Sequence, residues 1–211
     1  MADYKNRTLK GSRNPWVSDY WQQKARKEGY PARSVYKLME IDEKFGLLKT
    51  PNVRVLDIGA APGSWSLYVL QKMALKGKGF LTAVDLSPLP NKFDNDNFLF
   101  IQGDITTQDV RTSLLSKGPF NVIISDAAPN TTGNHMVDSA RSVELVEAVF
   151  SYAEDALSSG GNLAVKVFQG SGTDALLKHM KTLFTTAKSF KPQACRGESV
   201  ETYFVGLGRR K

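Results

Sequence analysis

Seven short runs of β-branched, aromatic and other apolar residues recur along the chain, and amphipathic helical patterns separate most of them. The runs fall at residues 53–58, 80–85, 98–104, 120–126, 162–168, 187–191 and 202–207. Helical spacing covers 32–45, 64–74, 108–115, 138–158 and 173–184. Several β-type runs are continuously apolar rather than alternating, so both of their faces must be covered. Strands alternating with helices predict an α/β fold: one doubly wound, mostly parallel, seven-stranded sheet with helices on both faces. At 211 residues the chain suits a single such domain. We divide it into a basic, partly flexible extension over 1–30 and the α/β domain over 31–211. In open sheets of this kind ligands bind beyond the carboxyl ends of the strands, so functional residues are sought there.

Charge points to a class of partner. Residues 1–37 carry nine Lys/Arg against three Asp/Glu, a net +6. Residues 38–195 are nearly neutral at −1, and residues 196–211 return to +2. Basic ends on a neutral body suit a polyanion, nucleic acid ahead of a membrane surface. In the extension, Trp16, Tyr20 and Trp21 stand among cations. That composition suits base stacking with phosphate pairing, or rings that staple the segment to the core. No apolar run reaches membrane-spanning length, and no signal-peptide pattern opens the sequence. The lone Cys195 cannot form an intrachain disulfide, which fits a reducing compartment, and a cytoplasmic location is expected. With only His135 and His179 beside that cysteine, no metal site is expected.

The strand ends carry the chemistry. The first β-run leads into Gly59-Ala60-Ala61-Pro62-Gly63, a glycine-bearing turn that opens a helix. Such glycines let backbone approach a ligand closely. Ala61 and Ser64 stand where a dinucleotide fingerprint would have its second and third glycines, so a smaller nucleoside suits the turn better than a pyrophosphate. Asp85 closes the next run, where a carboxylate can accept both ribose hydroxyls. Asp104 closes the third and can accept from an adenine amino group or cap the following turn. Asp126 closes the fourth. This acidic series suggests S-adenosylmethionine (SAM), with a nicotinamide cofactor as the rival.

Lys166 interrupts an otherwise apolar run, Leu163-Ala164-Val165-Lys166-Val167-Phe168. A lysine inside a covered strand is costly unless paired or neutral. Held near other cations it favours the neutral amine, which can act as a base. Asp126 would stand beside it if the fourth and fifth strands pair. The bland alternative is an edge-strand lysine whose head reaches water.

Five segments, in order, resemble the FtsJ-type family of RNA ribose 2′-O-methyltransferases. They are Ser34-Val35-Tyr36-Lys37-Leu38, Asp57-Ile58-Gly59-Ala60-Ala61-Pro62-Gly63-Ser64-Trp65-Ser66, Ser125-Asp126-Ala127-Ala128-Pro129-Asn130, Val165-Lys166-Val167-Phe168-Gln169-Gly170 and Ser199-Val200-Glu201-Thr202-Tyr203. The resemblance spans residues 29–208 and implies the Rossmann-like SAM-dependent methyltransferase fold. It implies a catalytic tetrad at Lys37, Asp126, Lys166 and Glu201. It implies SAM contacts at Gly63, Trp65, Asp85, Asp104 and Asp126, to which the strand-end reading adds Gly59. Residue chemistry alone would leave Trp65 in the core and Lys37 on a solvated face. Where the family carries a more basic stretch before the last strand, this chain has Glu198 and Val200.

The resemblance further implies transfer of the SAM methyl group to a ribose 2′-hydroxyl. The substrate it implies is a uridine of large-subunit ribosomal RNA, free or within the subunit, ahead of the transfer RNA anticodon loop. A monomer without membrane association is expected. A non-catalytic SAM-binding RNA module is the alternative from another class, and the intact tetrad argues against it.

Overall fold

The computed structural model describes residues 20–76, 79–90, 93, 95–196 and 199–211. Trp16 and most of the basic extension lie outside the described residues, as does Glu198. The seven strands form one sheet in the order β3-β2-β1-β4-β5-β7-β6. They are β1 Arg54–Ile58, β2 Phe80–Asp85, β3 Phe98–Gln102, β4 Phe120–Ser125, β5 Leu157–Phe168, β6 Phe184–Phe190 and β7 Glu201–Arg209. The pairings from β3 across to β5 are parallel. β7 runs antiparallel to both β5 and β6. The doubly wound α/β fold is therefore as the sequence predicts.

The helices are α1 Tyr20–Lys27, α2 Val35–Phe45, α3 Ser64–Lys76, α4 Gln108–Leu115, α5 His135–Ala156 and α6 Thr173–Leu183. Alternation along the strands divides the core in two. Val55, Val122, Ile124, Ala164, Tyr203 and Val205 join the layer beneath α1, α2 and α3. Leu56, Ile58, Ile123, Val165, Val167 and Phe204 join the layer of α4, α5 and α6. Neighbouring residues point to opposite faces because the strand period is two, and both faces are apolar because both carry helices.

Some boundaries differ from the sequence reading, each for a local reason. α2 starts at Val35 rather than at 32, after a turn in which the Ala32 amide donates to the Ser64 hydroxyl at 2.7 Å. α5 starts earlier, at His135, because the Asn134 side chain accepts from the amides of Met136 and Val137. β5 begins at Leu157, directly after α5, and its pairing with β4 shifts register between Phe120 and Val122. Gly160, with φ of +80°, lies in that irregular stretch, so the Gly-Gly pair shapes a strand rather than merely ending the helix. In α1, Ala25 is fully buried and Trp21 packs 4.9 Å from Tyr36. One ring of the extension thus staples it to α2.

Candidate active site

Two clusters meet at the carboxyl ends of β1, β4 and β5. The first is a cavity of about 270 Å³ whose lining includes Gly59, Asp85, Asp104 and Asp126. Its position follows from the parallel register, which brings Asp85 and Gln102 level at the ends of β2 and β3. The turn after β1 closes one side. Gly59 has φ of +77°, and a Cβ there would lie 2.6 Å from the backbone of Ala127. Only glycine allows that turn to lie against the one after β4.

The carboxylates already have partial work. Asp85 accepts from the amides of Ala61 and Ser87, at 2.9 and 2.8 Å, which fixes its orientation at the cavity. Asp104 uses Oδ1 for the amide and hydroxyl of Thr106. Among the described residues its Oδ2 makes no hydrogen bond, so this residue serves as a turn cap and can also offer an acceptor to a ligand. Ile58, Val84, Leu86 and Ile105 give the cavity apolar walls. A flat apolar slot with carboxylate acceptors at its edge suits a nucleoside, and one that carries positive charge above all.

Asp57 lies beneath this cavity, fully buried in β1, with Oδ2 accepting from Ser66 at 2.7 Å and, among the described residues, Oδ1 without a partner. Burial, more than the neighbouring Asp126 and Asp85, pushes its carboxyl up to about 7 despite the Ser66 bond.

The second cluster is a set of ion pairs. Asp126 directly follows Ser125, which pairs with Val165 on the adjacent strand. That register sets Asp126 beside Lys166, and Lys166 Nζ lies 3.1 Å from Asp126 Oδ1. The same ammonium donates to the Asp126 carbonyl. β5 is flanked by β4 and β7, so Lys166 is not an edge-strand lysine. Lys37 and Glu201 form a second pair at 2.8 Å, with side chains 10% and 12% exposed. Lys37 reaches it from a largely buried α2 whose start is tied to α3: the Trp65 indole donates to the Ser34 carbonyl at 2.8 Å. The other end of that face is held by Glu40, which accepts from the amides of Gln193 and Ala194.

Tyr203 joins the two pairs, and nothing in the sequence reading gave it a role. It is fully buried and stands opposite Lys166 in the β5–β7 register. Its hydroxyl donates to Asp126 Oδ1 at 2.6 Å, and Lys37 Nζ lies 6.0 Å from its ring centre. Burial and then Asp126 hold this phenol well above its ordinary value, so it remains a donor. Only the strand register reveals it. Cys195 sits beside Glu201, and burial pushes its thiol up to about 12, with the Glu201 hydrogen bond adding to the effect. That thiol is a poor nucleophile.

The structure thus gathers Gly59, Asp85, Asp104 and Asp126 around one cavity, and Lys37, Asp126, Lys166 and Glu201 around Tyr203. Gly63 and Trp65 do not line the cavity. Gly63 (φ +103°) faces the Phe93 ring at the start of α3. Trp65 is buried in the core, 5.9 Å from Tyr203, and supports the ion pairs from behind. Among the described residues no group of His, Cys, Asp or Glu could hold a metal ion, and no helix is long and apolar enough to cross a membrane.

A doubly wound sheet with one antiparallel strand, carrying a nucleoside-sized acidic cavity at its strand ends, defines the Rossmann-like methyltransferase class. Its fold is shared with Aeropyrum pernix fibrillarin, at TM-score 0.59 and 13% identity over 82% of this chain and 76% of that one. The match to the FtsJ-like methyltransferase family covers residues 30–209, and the chain belongs to that family. A ribosomal RNA large subunit methyltransferase E from Treponema denticola is 49% identical over 90% of this chain and 94% of the relative. Its counterpart in Oleidesulfovibrio alaskensis is 46% identical over 90% and 91%. A crystal structure described as a ribosomal RNA methyltransferase from Plasmodium falciparum superposes with TM-score 0.74 at 29% identity, covering 85% of this chain and 98% of that one.

Proposed function

We propose that this protein transfers a methyl group from SAM to a ribose 2′-hydroxyl of large-subunit ribosomal RNA, at a uridine. The observation that carries this is the Lys166–Asp126 pair at the rim of the acidic cavity. It sets an amine where a hydroxyl would meet a ligand held by Asp85 and Asp104. The names of relatives 49% and 46% identical over nine-tenths of the chain support the RNA class.

The cavity fits SAM by its donor set. Asp85 would accept from the ribose hydroxyls and Asp104 from the adenine amine, between the apolar walls, with Gly59 allowing close backbone approach. When bound, SAM supplies an electrophilic methyl group. The chain's own task is then alignment and proton removal. Lys166, once its ammonium has released a proton to solvent, would hold the 2′-hydroxyl as the free amine, oriented by Asp126, and take its proton at Nζ. Tyr203, by donating to Asp126 Oδ1, fixes the carboxylate that orients the amine. Glu201 holds Lys37 at the back of the site, where either group can position the ribose. Every proposed group comes from one chain, so a monomer suffices. A ribosomal RNA substrate fits the cytoplasm as its place of work. We read residues 1–30 as an RNA-gripping extension on the domain formed by 31–211.

The test is incubation of labelled SAM with large ribosomal subunits, and separately with their naked RNA, from a strain lacking this gene. The expected result is a single ribose 2′-O-methyl group on large-subunit RNA. Label on a base, or on transfer RNA alone, would overturn the reading.

A further inference from the structure

A second cavity, of about 310 Å³, lies where β5 ends and β7 begins. Thr131, His135 and Ser139 form one wall, and Phe168, Ser199 and Val200 the other. Register fixes its relation to the chemistry. Phe168 lies two residues beyond Lys166, hence on the same sheet face, and pairs directly with Glu201. Asp126 lines the first cavity, and Phe168 lines the second. Lys166 is thus tied to both, by its pair with Asp126 on one side and by the sheet face it shares with Phe168 on the other.

The covalent geometry of a nucleotide then restricts where its base can go. The 2′-carbon is bonded to the 1′-carbon that bears the base, so a 2′-hydroxyl at Lys166 Nζ brings the base into a cavity next to Lys166. In the proposed reaction the acidic cavity holds the methyl donor. We propose that the second cavity seats the base of the target nucleotide, drawn out of its stack, with Phe168 as the stacking platform. This rests on the RNA 2′-O-methyltransfer reading above.

The walls are built to hold a shape. The Phe168 amide donates to the Ser142 hydroxyl at 2.9 Å, tying the end of β5 to α5. A Cβ on Gly170 would lie 2.5 Å from the Ser139 side chain, so strand end and helix are in close contact. The Asp138 carboxylate gathers the amide and hydroxyl of Thr132 and the amide of Gly133, which orders the loop that completes the wall. The apolar part of the lining is Phe168 and Val200, the latter 38% exposed. Exposed apolar groups around a cleft suit the flat faces of unpaired bases. The exposed His135 ring offers a polar partner for a base edge.

The test compares Phe168→Ala, Phe168→Tyr and Ser199→Trp on large ribosomal subunits from a strain lacking the gene, with SAM affinity measured by calorimetry. Loss of a stacking platform should lower kcat/KM for the subunits about ten-fold or more, with SAM affinity unchanged. Phe168→Tyr should restore most of the rate, as a merely structural defect would not require. Ser199→Trp changes a residue of the cavity wall outside any regular element, and by filling the cavity it should lower the rate even if Phe168→Ala fails to fold. Wild-type kcat/KM in Ser199→Trp, or in a folded Phe168→Ala, would overturn the proposal. A wild-type protein that methylates no large-subunit RNA would instead remove the functional reading, and this proposal with it.

Discussion

The donor cavity and the ion-pair cluster share Asp126 yet are built in opposite ways. The cavity is assembled by parallel strands: β2, β3 and β4 each deliver one acidic residue at the carboxyl end, and β1 delivers the glycine turn. Its residues are spread evenly along the chain, and each follows from a local strand-then-turn rule. The ion-pair cluster is assembled by the antiparallel β7 and by α2, from opposite ends of the sequence. Lys37 and Glu201 are 164 positions apart, and only the β5–β7 register with the α2–α3 tie brings them together. One side is thus a property of the fold class, and the other a property of this particular set of pairings. Substitutions should separate them: the first side should govern SAM affinity and the second the rate at saturating SAM.

The largest expected effect is at the junction. Lys166→Ala removes the amine that takes the proton and should lower turnover by roughly 10²–10⁴-fold, the usual range for a positioned base. SAM affinity should stay near wild type, because Asp85 and Asp104 are untouched. Single-turnover assays with labelled SAM, beside a calorimetric titration, read both quantities. Turnover close to wild type would remove Lys166 from its role.

Next is the mirror experiment. Asp85→Ala deletes a carboxylate that the Ala61 and Ser87 amides hold toward the cavity. A hydrogen bond to a charged group contributes roughly 1.5–3 kcal/mol, so SAM affinity should fall about 10- to 100-fold. Turnover at saturating SAM should change far less. If the rate constant falls while affinity holds, the two regions are not separable as described.

A smaller effect is expected from Tyr203→Phe, which keeps the ring in the core and deletes one donor to Asp126. A net loss of about 1 kcal/mol, typical for one hydrogen bond, corresponds to a few-fold drop in turnover with SAM affinity unchanged. Equal activity would show that Lys166 alone holds Asp126. Removing residues 1–19, which spares α1 and its buried Ala25, should weaken RNA binding and flatten its salt dependence while SAM still binds. Filter binding over a salt series checks this.

This division also explains what the sequence made legible. The sheet, its strand-end aspartates and Gly59 follow from apolar period, turn chemistry and the rule that ligands sit at carboxyl strand ends. The Lys166–Asp126 pair follows from the pairing of β4 with β5. Lys37 and Glu201 became visible only through family resemblance, because a lysine on a basic helix carries no sign of being buried. Tyr203 stayed hidden for the same kind of reason: an aromatic in an apolar strand is ordinary until the opposing residue proves to be Lys166. Asn134 carries a local signal for the start of α5, since an asparagine ahead of a long amphipathic run is a common N-cap.

The last prediction concerns stability and belongs wholly to the donor side. Asp57 is buried with an unpartnered Oδ1, and its carboxyl is raised from 3.8 to about 7 in the folded protein. Folding therefore favours the protonated form. Between about pH 4 and pH 7 the native state binds this proton more tightly than the unfolded chain, so its contribution to stability declines as pH rises. Above about 7 both states are ionised and the decline stops. Asp57→Asn keeps the size and an acceptor for Ser66 but has no charge to bury. The melting temperature of this variant relative to wild type should rise by a few degrees from pH 5 to pH 8, since each kcal/mol shifts a domain of this size by about 2–4 °C. Matched scans of the ligand-free proteins at both values give the answer. A difference that is the same at pH 5 and pH 8 would mean that Asp57 ionises normally. The acidic crowding of the donor side would then carry no cost in the free protein.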